Sequence, residues 1–195
     1  MPSSEPRPTP GRSERRLRWI ALASLLLLVP ATIAATGWRD LREIRRTHEL
    51  DAIDVPQGQP ADYSGAKIQL VGINAIPYEP GLPKDRTFLR ARLTVEPQRA
   101  ATPWLSCKIQ LVDTAGHAWT ALETVPDLVK QMLAKPGDAA GTICDGTTVS
   151  EAKPGSKVFV DAYYLVPRPI PEVRVRMSTM EGRPAYLQFA ASKTQ

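Results

Sequence analysis

The sequence is short of the residues that do chemistry. Two histidines and two cysteines are spread over 195 residues, which thins the supply of bases, nucleophiles and metal ligands before any motif is sought. His48 and His117 do not share the spacing of a zinc site, and neither stands in a nucleophile motif. No glycine-rich phosphate loop, GxSxG elbow or paired-carboxylate motif occurs. Asp113 and Asp145 each precede small turn residues and read as turn formers rather than general acids. The expectation is therefore a protein with no catalytic residues, no cofactor and no metal. A basic excess is also missing from most of the chain. Lys and Arg total 25 against 20 Asp and Glu, but the first 50 residues hold 9 against 5, which leaves 16 against 15 for the rest. A remainder within one charge of neutral has no electrostatic footprint for nucleic acid, so the pI of about 9.4 misleads as a whole-chain property. The 19 prolines and 12 glycines argue against a helical bundle.

What is present begins with a membrane segment. Residues 1–18 are rich in Pro and Ser, carry five arginines and have no periodic apolar face, as expected of a disordered cytoplasmic tail. From Trp19 to Trp38 there is no charge for 20 residues, and a helix of that length spans roughly 30 Å, the thickness of a bilayer core. Tryptophans bracket the run, with Arg15, Arg16 and Arg18 before it and Arg39 and Arg42 after it. A cleavable signal peptide is the rival, since Ala31-Thr-Ile-Ala-Ala35 offers small residues for cleavage. The run nevertheless continues through Gly37 and Trp38 into Leu41-Arg-Glu-Ile44, which favours a retained anchor at 19–38. Residues 39–62 then read as stalk and linker, broken by the two prolines and the glycine of Asp54–Pro60.

From residue 63 to 191 the dominant period is two. Leu89, Ala91, Leu93 and Val95 alternate with Phe88, Arg90, Arg92 and Thr94; Leu105, Cys107, Ile109 and Leu111 alternate with Ser106, Lys108 and Gln110. Lys157–Leu165 and Glu172–Met177 follow the same rule, and shorter runs at Lys67–Ile73, Ala118–Ala121 and Ala185–Ala190 bring the expected strands to about seven. Asp113–Gly116, Lys153–Ser156 and Glu181-Gly182 supply turns. Pro126 through Lys135 reads as one short amphipathic helix capping an end of the sandwich. The expected fold is mainly β, an antiparallel sandwich preceded by a single transmembrane helix.

The succession Phe88–Val95, Ile109–Gly116 and Pro154–Val158 leading to Tyr164–Pro167 resembles the immunoglobulin-like domain of uncharacterised bacterial lipoproteins and single-pass exported proteins, over roughly residues 63–191. The resemblance implies an immunoglobulin-like sandwich outside the cytoplasm and brings no catalytic residues. No cysteine follows the apolar segment, so lipid attachment there is excluded.

Cys107 and Cys144 form an even pair in a domain read as exported, and a disulfide is the economical reading. The alternative is a buried thiol at Cys107 and an idle one at Cys144. Arg90, Arg92, Arg174 and Arg176 occupy the polar phases of strands, a candidate binding face for carboxylate or phosphate groups; a merely solvated face is the alternative. Trp104 and Trp119 read as core rather than contact surface. The expected function is a membrane-anchored extracytoplasmic binding or scaffolding module of the bacterial envelope, N-terminus inside, held in the lipid bilayer through Trp19–Trp38 and meeting a protein or anionic envelope partner. The rivals are an envelope-assembly factor carrying an apolar ligand or lipid, and an enzyme of unknown type.

Overall fold

The computed structural model describes residues 12–76, 84–99, 104, 106–170 and 172–190. The chain divides into two compact units at Ile44/Arg45. Helix α1, Arg12–Thr47, accounts for most of the first and carries Pro30 in its interior. It begins inside the stretch expected to be a disordered tail; residues 1–11 lie outside the described residues. Its apolar part is long enough to cross a membrane and is exposed along its length, and a signal sequence would meet the same description. The hydroxyls of Thr32 and Thr36 donate to the carbonyls of Leu28 and Thr32 one turn earlier, at 2.9 and 2.8 Å. Neither hydroxyl is thereby left for a hydrocarbon environment to satisfy.

The second unit is a β-sandwich. Its elements run β1 (Asp51–Val55), β2 (Pro60–Tyr63), β3 (Ala66–Ala75), β4 (Arg86–Pro97), β5 (Lys108–Asp113), β6 (Ala118–Thr120), α2 (Asp127–Leu133), α3 (Gly146–Ser150), β7 (Val158–Pro167), β8 (Val173–Ser178) and β9 (Ala185–Phe189). A five-stranded sheet has the order β1-β9-β8-β5-β6 and a four-stranded sheet the order β2-β3-β4-β7. Each of the seven runs of period two contains a strand. The two additional strands, β1 and β2, fall within the stretch expected to be stalk and linker, because five-residue and four-residue strands beside prolines leave little periodicity to read. β1 pairs parallel to β9, from Asp51 opposite Ala185 to Val55 opposite Phe189, so the sandwich is not wholly antiparallel. A second short helix, α3, joins the expected one.

The core is the meeting of two alternating faces. Leu89, Ala91, Leu93 and Val95 of β4 and Val160, Ala162, Tyr164 and Val166 of β7 face Ile109 and Leu111 of β5, Val173, Val175 and Met177 of β8, and Leu187 and Phe189 of β9. Trp104 closes this core, its indole N–H donating to the Ser64 carbonyl at 3.2 Å. Ser64 (φ 48°) and Gly65 (φ 75°) both take left-handed backbone between β2 and β3, the demand of a two-residue hairpin turn with mirror-image twist.

β3 shows why alternation alone does not place every side chain. Ala66, Ile68 and Leu70 point inward on even numbers, but a bulge between Leu70 and Gly72 shifts the register, and Ile73 becomes the inward residue. Val71 is left 57% exposed. We expect Val71→Lys to change stability by no more than about 0.5 kcal/mol, whereas Ile73→Lys buries an uncompensated charge and should leave little folded protein. Urea midpoints of the two variants check this. Equal damage from both would mean that alternation runs through without a bulge.

Candidate functional site

The outer faces of the two sheets have opposite fates. On the four-stranded sheet the outward phase of β4 carries Phe88, Arg90, Arg92 and Thr94, and that of β7 carries Phe159, Asp161 and Tyr163, with Arg90 opposite Tyr163 and Arg92 opposite Asp161. This surface is covered. Helix α2 lays Val129 and Leu133 against Ile76, Tyr163 and Phe88. Pro126 stands at the N-cap of α2 with no side-chain cap, and Lys130 pairs with Asp127 at 2.9 Å on its solvent side. The chain after α2 then crosses the sheet and runs beside β7: the Thr142 amide donates to the Phe159 carbonyl and the Asp161 amide to the Thr142 carbonyl, both at 2.8 Å.

Arg90 and Arg92 are consequently not on a binding face. They are 2% and 5% exposed, and four charged side chains close on one another there. Asp161 takes Arg92 as a two-pronged pair, Nε to Oδ1 and an NH2 group to Oδ2, each at 2.7 Å. Arg92 also donates to the Ala139 carbonyl at 2.9 Å, stands 3.3 Å from Asp138, and rests over the Phe159 ring at 5.3 Å. Arg90 donates to Asp138 at 2.6 Å, while its Nε has no acceptor among the described residues. Two positive and two negative groups thus balance, three of them buried and Asp138 at the exposed rim. Pairing of this kind is what the removal of charge from water demands. The hydrogen bond that Arg92 donates to Asp161 leads in raising the Arg92 pKa. Gly141 lies directly against the Asp161 carboxylate, where a Cβ would collide with Oδ2.

Cys107 and Cys144 form a disulfide with Cα atoms 5.5 Å apart. Cys107 lies just ahead of β5 in the five-stranded sheet and Cys144 just after the covering segment, so the bond ties the cover of one sheet to the other. Closing 37 residues stabilises by about 3–4 kcal/mol through loop entropy.

On the five-stranded sheet the outward phase is exposed at Asp54, Arg174 and Thr120 and half-buried at Gln188, Arg176 and Gln110, with Val112 and Ser178 of the same phase buried. Directly in register across all five strands stand Asp54, Gln188, Arg176, Gln110 and Thr120. The Gln188 side-chain amide donates to Asp54 at 2.9 Å and Arg176 Nε donates to Gln188 Oε1 at 3.0 Å. Arg176 also lies over the Tyr186 ring at 5.3 Å. One row along, Arg174 is exposed and makes no ion pair among the described residues. It borders a shallow groove of about 520 Å³ with Asp54, Pro56, Glu172 and Gln188. The four arginines expected as one face therefore divide between two sheets: Arg174 and Arg176 share an outer surface, and Arg90 and Arg92 are buried on the other.

Of the remaining candidates, Trp104 is core, while Trp119 is half-buried with the His117 ring 6.3 Å away. Asp113 accepts from the His117 ring at 2.8 Å and from its amide at 2.8 Å, closing the turn as expected. That ring contact leads in holding the Asp113 carboxyl below its ordinary range. Asp145 accepts from Thr147 at 2.9 Å. Among the described residues no three His, Cys, Asp or Glu side chains gather as a metal site would require. Sequence reading missed Asp138, Asp161 and Gly141. The available signal was the aromatic-acid-aromatic phase Phe159, Asp161, Tyr163, which is too apolar for a solvated face.

No family model matches the chain and no curated protein matches it in sequence. Three solved structures show a similar arrangement. A secreted protein from Mycobacterium tuberculosis, MPT63, is 16% identical, with a TM-score of 0.45 over 70% of this chain and 97% of its own. An uncharacterised β-sandwich protein from Clostridium difficile 630 is 10% identical, with a TM-score of 0.43 over 75% of this chain and 97% of its own. A conserved hypothetical protein from Bacillus anthracis, also 10% identical, has a TM-score of 0.43 over 67% and 92%. These likenesses are distant, and the sandwich is established by the strand pairing described above.

Two outcomes follow from the buried charges. Asp161→Asn leaves Arg92 without its two-pronged partner and should cost about 3–5 kcal/mol by denaturant unfolding; a cost below about 1 kcal/mol would show that water reaches the cluster. Asp138 titrates below its ordinary value, held there first by the Lys135 amide and, against burial, by the Arg90 and Arg92 guanidinium groups. A carboxyl depressed in the folded state adds stability above its unfolded pKa of about 3.9 and loses it as pH falls through the folded value. Asp138→Asn should therefore be less stable at pH 7 and lose stability less steeply below about pH 4. Some slope remains, because Asp113 and Glu49 are also depressed, the latter against burial by Ser178 and Lys108. Identical acid limbs in variant and wild type would remove Asp138 from the cluster.

Proposed function

We propose that the protein is a bacterial envelope module that recognises a partner through the open face of its five-stranded sheet. One observation carries the reading: the sandwich covers one sheet with α2 and a disulfide-tied crossing, yet leaves the outward phase of the other partly exposed, with Arg174 unpaired beside a row of hydrogen-bonding side chains. An exposed guanidinium in a fork-shaped geometry suits carboxylate or phosphate groups, so the partner is a protein or another envelope component presenting such anions. Recognition rather than catalysis is the role.

In this reading α1 is a retained anchor through Trp19–Trp38, with the N-terminus in the cytoplasm and the sandwich outside it. The disulfide supports the far side, because such bonds persist in oxidising compartments. The sandwich is of the immunoglobulin-like kind found in exported lipoproteins and single-pass proteins. A carrier of apolar ligands gains no support, since the inner faces of the sheets meet in a filled core of Leu93, Leu111, Val175 and Leu187.

Photo-crosslinking in the native envelope tests the recognition face. A crosslinker replacing Gln110, beside Arg176 in the polar row, should capture a defined product that a crosslinker at Val71, on the other sheet, does not. Arg174→Gln with Arg176→Gln should abolish that product while costing no more than about 0.5 kcal/mol at exposed Arg174 and about 1 kcal/mol at half-buried Arg176, whose hydrogen bond to Gln188 is lost. A product that survives the double variant, or equal capture from both positions, would move the binding surface elsewhere.

A further inference from the structure

We propose that the last three turns of α1 are a docking face for anionic phospholipid headgroups at the surface of the membrane that the helix enters. The inference rests on reading α1 as a retained anchor. The helix runs without interruption from its apolar stretch through Trp38 to Thr47. At about 100° of rotation per residue, Arg39, Arg42, Arg45 and Arg46 fall within an arc of about 120°, with Trp38 inside it. Asp40, Leu41, Glu43 and Ile44 fall outside that arc. All four arginines are exposed, and none makes an ion pair with another described residue.

Distance favours the lipid as occupant. Rising about 1.5 Å per residue, Arg39 to Arg46 stand from about 2 to about 12 Å beyond Trp38 along the axis, roughly one Debye length from an interface marked by that tryptophan. Headgroup phosphates there are within reach of long guanidinium side chains, which bind phosphate in a two-pronged geometry. A soluble polyanion would have to be recruited to the same place. Lipid is already beside the helix wherever its apolar segment is inserted.

Hydrogen exchange of the full-length protein in vesicles tests this. Flotation with neutral phosphatidylcholine vesicles reports on the anchor alone, independent of headgroup charge. Replacing about 30 mol % of the lipid with phosphatidylglycerol should slow amide exchange over residues 39–47 by about threefold or more, and about 0.5 M salt should reverse the effect. The combined variant Arg39→Gln, Arg42→Gln, Arg45→Gln and Arg46→Gln should still float with neutral vesicles and keep the melting of the sandwich, but lose the response to anionic lipid. Equal exchange in both vesicle types would overturn the proposal, as would equal slowing by soluble poly(glycerol phosphate) in neutral vesicles. Failure to float with neutral vesicles would instead remove the anchor reading, and protection by anionic vesicles would still score the arginine face separately.

Discussion

Two guanidinium groups on one phase of a β-strand can leave water only if opposite charge is brought to them, and the architecture on one side of this sandwich is organised around that requirement. Asp161 comes from the neighbouring strand at no topological cost, because β7 pairs with β4 in register. Asp138 has no such easy route. It arrives on the chain that leaves α2, crosses the sheet and continues beside β7, with Gly141 flat against the Asp161 carboxylate where a side chain would not fit. Helix α2, the crossing and the disulfide at Cys144 thus belong to one device that shields Arg90, Arg92 and Asp161 from water and brings Asp138 to their rim. The arrangement is stabilising only when complete, since a half-paired buried cluster costs more than an apolar surface would.

The same requirement explains the asymmetry between the sheets. β8 and β9 place Arg176, Gln188 and Tyr186 outward, and these groups satisfy one another across strands without leaving water. Nothing forces a cover over them. An open polar row that holds its own geometry is also a prepared surface: Arg176 is already oriented by Gln188 and Tyr186, so less side-chain freedom is lost when a partner binds.

Period two made most of the sandwich legible. The seven runs of alternating residues each contain a strand, and the turn at Asp113–Gly116 lies between β5 and β6 while that at Lys153–Ser156 lies between α3 and β7. The failures have separate physical causes. β1 and β2 are too short to show a period, and β1 is recruited by parallel pairing with the last strand, a long-range event with no local signature. The bulge in β3 changes phase within a run that reads as continuous. Alternation alone puts Arg90 and Arg92 toward solvent, because it says which residues share a face and not whether that face is covered. Phe88, Phe159 and Tyr163 on the same surface were the indication that it is, but reading it required knowing that β4 and β7 are neighbours. The cysteine pair depended on composition and compartment instead, and so was readable without the fold.

Four arginines on polar strand phases thus reach two different ends, and the energetics separate their roles. Arg92 is bound by groups whose loss would strand a buried charge, so its identity and those of Asp161 and Gly141 are fixed together; any change that tuned binding there would first endanger folding. Arg174 is under no such constraint. Its neighbours Asp54 and Glu172 are exposed and screened by water, and substitutions around it alter surface charge at little cost to the fold. Under the proposed recognition role, specificity could therefore vary on the five-stranded sheet independently of stability, while the covered sheet keeps the sandwich intact. That separation is the physical reason for placing recognition at Arg174 and Arg176 and not at the denser concentration of charge beneath α2.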